Sequence, residues 1–130
     1  MKRIILGLSL LLILVQNGFA ETDAEYDKII SEQTLEVDKQ LWRCNKAALK
    51  HKYTSDPKVC IKALELEKKV YPDAKNVIAI LHTSIGILYY HNKKDYVKTY
   101  EYFMKAAKLG NTDAQRNLDI LCREHSWVCK

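Results

Sequence analysis

Ile85-Gly86-Ile87-Leu88-Tyr89, a short polar break, and then Asp95-Tyr-Val-Lys-Thr-Tyr-Glu-Tyr-Phe-Met-Lys-Ala-Ala-Lys-Leu-Gly-Asn-Thr-Asp-Ala-Gln115 form the stretch that decides the fold. Apolar residues return every three or four positions on both sides of the break, which predicts a helix, a turn and a second helix. Asp95 is placed to cap the second helix, and Gly110 to end it in a left-handed conformation. Thr112-Asp113-Ala114-Gln115 reads as a capping box opening a third helix. One such unit cannot bury its own apolar stripe, so the stretch implies stacked helical hairpins. Arrays of this kind usually bind other proteins.

Working outward, the rest of the chain reads as helix too. The whole chain holds only two prolines and four glycines, and no segment alternates apolar and polar residues over a useful length. Thr22-Asp23-Ala24-Glu25 is a capping box, and the helix after it, either continuous to about Lys50 or broken near Ser31 to Thr34, carries Ile30, Thr34, Val37, Leu41, Cys44 and Ala48 on one face. Tyr53 to Asp56 reads as a turn, with Ser55 or Asp56 capping a helix whose first turn takes Pro57. That helix carries Val59, Cys60, Ala63, Leu64 and Val70, and Pro72-Asp73 ends it. A helix over about 74–90 turns Val77, Ile78, Leu81, Ile85, Leu88 and Tyr89 inward, and His91 to Lys94 makes the turn after it. The next helix contains Tyr96, Val97, Tyr100, Phe103, Met104 and Ala107, and the last contains Leu118, Leu121 and Cys122.

Shifting the chain by 40 residues brings Val37 onto Val77, Leu41 onto Leu81 and Leu81 onto Leu121. The expected fold class is therefore all-α, a short right-handed stack of antiparallel helical hairpins of about two and a half repeats. Residues 34–72 form a degenerate hairpin, 74–110 the clear repeat, and 112–130 a terminal half-repeat that covers the open end.

Lys2 and Arg3 precede an apolar run from Ile4 to Val15, and Gly18-Phe19-Ala20 places small residues at a cleavage site. This pattern is a secretory signal over residues 1–20, too short in its apolar part to span a bilayer. Residues 21–130 are then a single exported domain with no stable membrane anchor, periplasmic or secreted. The formal net charge of +5 includes Lys2 and Arg3, and the other charges are mixed along the chain without a basic block. Nucleic acid is not an expected partner. All four cysteines, Cys44, Cys60, Cys122 and Cys129, lie in the exported part. An even count in a small exported chain reads as two disulfides. Of the three pairings, Cys44–Cys60 with Cys122–Cys129 is preferred, because each joins neighbouring elements.

The stretch from Ile85 to Gln115 resembles a Sel1-like repeat, a relative of the tetratricopeptide repeat. The resemblance rests on Ile85-Gly86 and Tyr89, then Asp95-Tyr96, Lys98, Glu101-Tyr102, Lys105-Ala106-Ala107, Gly110 and Asp113-Ala114-Gln115. It implies packing roles. Gly86, Ala106 and Ala107 let the paired helices approach, Tyr89, Tyr102 and Phe103 supply apolar area, and Gly110 makes the tight turn onward. Two departures stand out. The Gly-x-Gly-Val element usual between paired helices is replaced by His91-Asn92-Lys93-Lys94, and Thr99 stands where Ala is usual. Thr at that position must either point outward or bond back to a backbone carbonyl. The cysteines look like those of an exported, disulfide-stapled branch of this family. Cys44–Cys60 would hold the hairpin with the weakest packing motifs. Cys122–Cys129 would tie the tail to the last helix and let Trp127 cover the end of the core.

Chemistry is poorly supported. Ser55-Asp-Pro-Lys58 spells the S-x-x-K of penicillin-recognising enzymes but makes an equally good helix start, without the further motifs that chemistry needs. His51, His82, His91 and His125 show no metal-binding spacing, and no cofactor motif occurs. The expectation is a binding protein, not an enzyme, with no cofactor and no metal. Eight tyrosines occur, and Tyr90 and Tyr96, with Lys93 and Lys94 beside them, are the candidate partner-binding residues. The partner is a protein of unknown identity, and a periplasmic inhibitor or immunity protein fits the pattern. A cell-wall-directed hydrolase, or an effector released to act on another cell, is the alternative.

Overall fold

The computed structural model describes Ala24, residues 36–49 and residues 56–130, and it is helical throughout with no strand among them. The secretory signal, the capping box at Thr22, the turn from Tyr53 to Ser55, His51 and the Leu49 side chain lie outside the described residues. The chain divides into two compact units, residues 1–39 and 40–130. Of the first, Glu36 to Lys39 are described as helix, with Lys39 Nζ 4.0 Å from the Glu36 carboxylate.

The elements in order are α1 (Glu36–Leu49), α2 (Lys58–Val70), α3 (Lys75–Leu88), a π-helical turn (Tyr89–Lys93), α4 (Tyr96–Lys108), α5 (Thr112–Glu124) and a 3₁₀ turn (Ser126–Cys129). From α2 onward each helix packs on the next, and the 3₁₀ turn lies on both α5 and α4. α3 is the central element. Leu81, Ile85 and Leu88 on it have no exposed surface, and they form one cluster with Cys44, Cys60, Ala63, Leu64 and Ile78. Burial of each of these large side chains contributes about 1.5–3 kcal/mol. Thr83 and Ser84 are buried on the same helix, and their hydroxyls donate to the carbonyls of Ala79 (2.9 Å) and Ile80 (3.0 Å). No buried hydroxyl there is left to oppose the packing.

The α3–α4 contact is built on one missing side chain. A Cβ at Gly86 would lie 2.5 Å from the Phe103 ring, closer than any Cβ tolerates. Phe103 fills that space and is itself buried, as are Thr99 and Ala106 one turn to either side. The Thr99 hydroxyl donates to the Asp95 carbonyl at 2.9 Å, so Thr is accommodated without an unpaired group.

The inward faces of two helices differ from expectation. Val97 and Val70 are about half exposed, while Thr99 and Glu67 are fully buried. Phe103 over Gly86 fixes the rotation of α4, and Val97, six residues earlier, then lies about 240° round the helix. On α2 the fixed point is Cys60, and its stripe of Cys60, Ala63, Leu64 and Glu67 leaves Val70 outside.

The junctions show which signals are physical. The Asp95 side chain accepts from Lys98 N at 3.0 Å, so it caps α4. Gly110 has φ +89°, and the amides of Gly110 and Asn111 reach the carbonyls of Ala107 and Ala106. This is the double hydrogen bond that closes a helix with a left-handed glycine. The cap of α5 is Asn111, whose side chain accepts from Ala114 N at 2.8 Å, and not Thr112. Asn111 wins because the closure at Gly110 already leaves it extended, whereas Thr112 is inside the helix. At the start of α2, Asp56 Oδ1 accepts from Lys58 N at 2.9 Å. The expected turn at His91 to Lys94 is instead a π-helical continuation of α3, closed by Lys94 in the left-handed region at φ 53°.

The disulfides are Cys44–Cys60, joining α1 to α2, and Cys122–Cys129, joining α5 to the 3₁₀ turn. Both cysteines of the first are fully buried, and those of the second are half-buried. Trp127 does not cover the core, because it is 60 % exposed. The 3₁₀ turn points it away, and His125 makes the inward contact.

Candidate functional site

α3 and α5 both rest on α4, and a cleft of about 340 Å3 lies between them. Its floor is Phe103, with Leu121 of α5 beside it. Ile87 and the π-turn residues Tyr90 and His91 form one wall, and Asn117, Ile120 and Glu124 form the other. The α5 residues stand at steps of three and four, so they share one helix face. Ile120 is 37 % exposed, a large apolar side chain offered to solvent at the cleft.

The π turn decides where the aromatic residues go. One extra residue in the turn rotates those after it relative to a continuous α-helix, a device common at functional sites. Tyr89 and Tyr90 enter different groups. Tyr89 stacks on Tyr102 with centroids 5.7 Å apart, and Tyr102 lies 5.8 Å from His82. Tyr90 packs at 5.3 Å from Tyr96, and Tyr96 stacks on His125 at 3.7 Å with 17° between the planes. The separations of 5.3–5.8 Å are those of favourable ring pairs, and the Tyr96–His125 stack is closer still.

The Tyr90 hydroxyl donates to Glu124 Oε2. That bond, ahead of burial, pushes the Tyr90 hydroxyl up to about 12, because the carboxylate holds the proton it accepts. The link joins the π turn to the last residue of α5. Lys93 at the same turn reaches the other way, with Nζ 3.2 Å from Asp56 Oδ2. Asp56 is held below its usual carboxylate value, first by the Lys58 amide and then by Lys93.

Of the candidate partner-binding residues, Tyr90 lines the cleft and Tyr96 supports it as a half-buried ring. Lys93 and Lys94 are exposed at the turn without lining it. Of the packing residues, Gly86 and Ala106 are buried, and Tyr89, Tyr102 and Ala107 are half-buried. Glu124 and Ile120 escaped the sequence reading, which weighed His125 only as a metal ligand. One signal was present for Glu124. An acidic residue in the last turn of a helix opposes the helix dipole at a cost of about 0.3–1 kcal/mol, so its place there needs a reason.

His82 lies on the Tyr102 side of α3. It is 5 % exposed, with its Nδ1 buried and unbonded. Burial, and then the positive charges of Lys68 and Lys105, hold its pKa down at about 4. Among the described residues, no cluster of His, Cys, Asp and Glu is placed to hold a metal, and no helix is long and apolar enough to cross a membrane. Two disulfides suit an oxidising, extracytoplasmic environment.

No protein-family model, curated protein or solved structure gives a significant match to this chain.

Proposed function

We propose that this chain is an exported helical-repeat protein of the Sel1-like type, and that it binds a protein partner in the cleft between α3 and α5. The observation that carries the reading is the cleft itself, with its aromatic floor, its exposed isoleucine and its tyrosine-fixed carboxylate. Rigid apolar pockets edged by oriented polar groups are what protein hot spots fill. The stapled, close-packed frame supports binding by lowering the cost of ordering the site. The proposed architecture is a short right-handed stack of antiparallel hairpins. α1 with α2 and α3 with α4 are the hairpins, and α5 is the closing half-repeat.

The site suits recognition and not catalysis, with Tyr90 and the α5 face as contact residues. A periplasmic inhibitor or immunity protein is the use that fits the proposed export. Two measurements test the reading. N-terminal sequencing of the exported protein is expected to start at Glu21, and a chain retaining Met1 removes the secretory part. Affinity capture from the exported fraction is expected to retain a stoichiometric partner on the natural chain and lose it with Ile120→Gln. Equal capture by both forms removes the cleft, and turnover of cell-wall material by the purified chain replaces binding with hydrolysis.

A further inference from the structure

We infer that the occupant of the cleft is a protein segment presenting one lysine or arginine next to an apolar side chain, with the cation paired to Glu124. The inference rests on the cleft being a binding site and adds the chemistry of what enters it. Charge complementarity supplies the argument. Glu124 is the only carboxylate among the lining residues, His91 is the one basic side chain there, and the rest of the lining is apolar, aromatic or amide.

Three further observations bear on Glu124. It ends α5, where the helix dipole disfavours an anion, so the placement is unexplained by helix stability. The Tyr90 hydroxyl holds its carboxylate, fixing its direction before any ligand arrives. A carboxylate has two oxygens and about four lone-pair sites, and one donor leaves capacity for a cation. The incoming charge would also offset the dipole, and a charge-assisted hydrogen bond is about twice as strong as a neutral one.

The apolar half of the occupant is set by distance. Ile120 lies one helical turn before Glu124, which places the two about 6 Å apart on one face. Phe103 and Leu121 floor the space beside them. A segment that puts an aliphatic or aromatic side chain on that floor therefore brings a neighbouring long basic side chain to the carboxylate. The net charge is +5, and still positive without Lys2 and Arg3, so the chain does not attract basic surfaces at long range. Recognition is of one cation in a local pocket and not of a polybasic surface.

The test uses a displayed library of random linear peptides, selected against the full disulfide-bonded chain and remade as synthetic peptides. Peptides pairing Lys or Arg with a large apolar residue are expected to be enriched. Their affinity is expected to fall about tenfold or more with Glu124→Gln, which removes the charge and keeps an acceptor for Tyr90. Replacing the peptide's own basic residue by norleucine is expected to give a similar fall and needs no change to the protein. Peptides that depend on Ile120 but carry no cation, or that lose nothing on either replacement, overturn the inference and leave the cleft as a binding site. Peptides indifferent to Ile120→Gln, or no binding peptides at all, overturn the inference and the cleft together.

Discussion

Two helix pairs in this chain have matching lengths and different fastenings. α1 and α2 are described over 14 and 13 residues, and α3 and α4 also over 14 and 13. The second pair is held by shape, with Phe103 seated where Gly86 has no side chain and with Thr99 and Ala106 buried beside it. The first pair carries a fully buried disulfide, with the Cα atoms of Cys44 and Cys60 4.6 Å apart. A crosslink holds two helices together whatever the quality of their packing, whereas a glycine contact requires the facing ring to fit. In the first pair a covalent bond does the fastening.

The largest effect expected is the loss of that bond. The double substitution Cys44→Ala with Cys60→Ala removes a crosslink over a separation of 16 residues. It is expected to cost about 3 kcal/mol in denaturant unfolding. A loss under 1 kcal/mol would show that the bond is not the main fastening of α1 to α2. The half-buried Cys122–Cys129 bond closes a separation of only seven residues, and its removal is expected to cost less.

Next comes the shape-held pair. Gly86→Ala is expected to destabilise by about 1–3 kcal/mol through overpacking against Phe103. Combining it with Phe103→Leu is expected to cost less than the two single losses added, because the sites touch. Strict additivity in a double-mutant cycle would mean that the contact is not what joins the helices.

A third test is read as a slope against pH. The folded-state pKa of His82 is about 4, below its ordinary 6.5. The unfolded chain therefore takes up the proton first as pH falls. The stability contributed by the neutral buried ring is intact above about pH 6.5 and is lost progressively down to about pH 4. The groups facing His82 include Lys68 on α2 with Lys105 and Tyr102 on α4. His82→Leu is expected to flatten the fall in Tm over that window, and an unchanged slope would assign it to other groups.

The smallest effects belong to the junctions. Asp95→Ala and Asn111→Ala each remove a helix cap and are expected to cost about 1 kcal/mol, while Thr112→Ala is expected to stay within about 0.5 kcal/mol. Equal losses at Asn111 and Thr112 would restore the capping box that the sequence suggested.

Much of the fold was legible in the chain. Asp95 and Gly110 act through local geometry, and few residue types satisfy each need, so the sequence marks them openly, whereas Gly86 acts across helices on Phe103 and was marked only by the repeat it resembles. The cysteine pairs were readable from adjacency in the chain. Val97, Val70 and Trp127 were not, because an apolar residue says only that burial is favourable. Which apolar residues win depends on how each helix is rotated by its strongest contact, and that contact lies on another helix. The cleft was legible in part. Tyr90 stood out by its neighbours, whereas Glu124, Ile120 and His125 acquire meaning only from residues about thirty positions away.

The sequence by itself determined that this chain is helical, where its well-marked helices begin and end, and which cysteines are near enough to pair. Those are matters of hydrogen bonds and periodicity within a few residues. The tertiary structure decided that His91 to Lys94 continues as a π turn, that Tyr89 and Tyr90 part to different groups, and that a carboxylate meets a tyrosine across the cleft. Those depend on packing between helices distant in the chain. Burial is a competition among all the faces at once, and local sequence cannot settle its outcome.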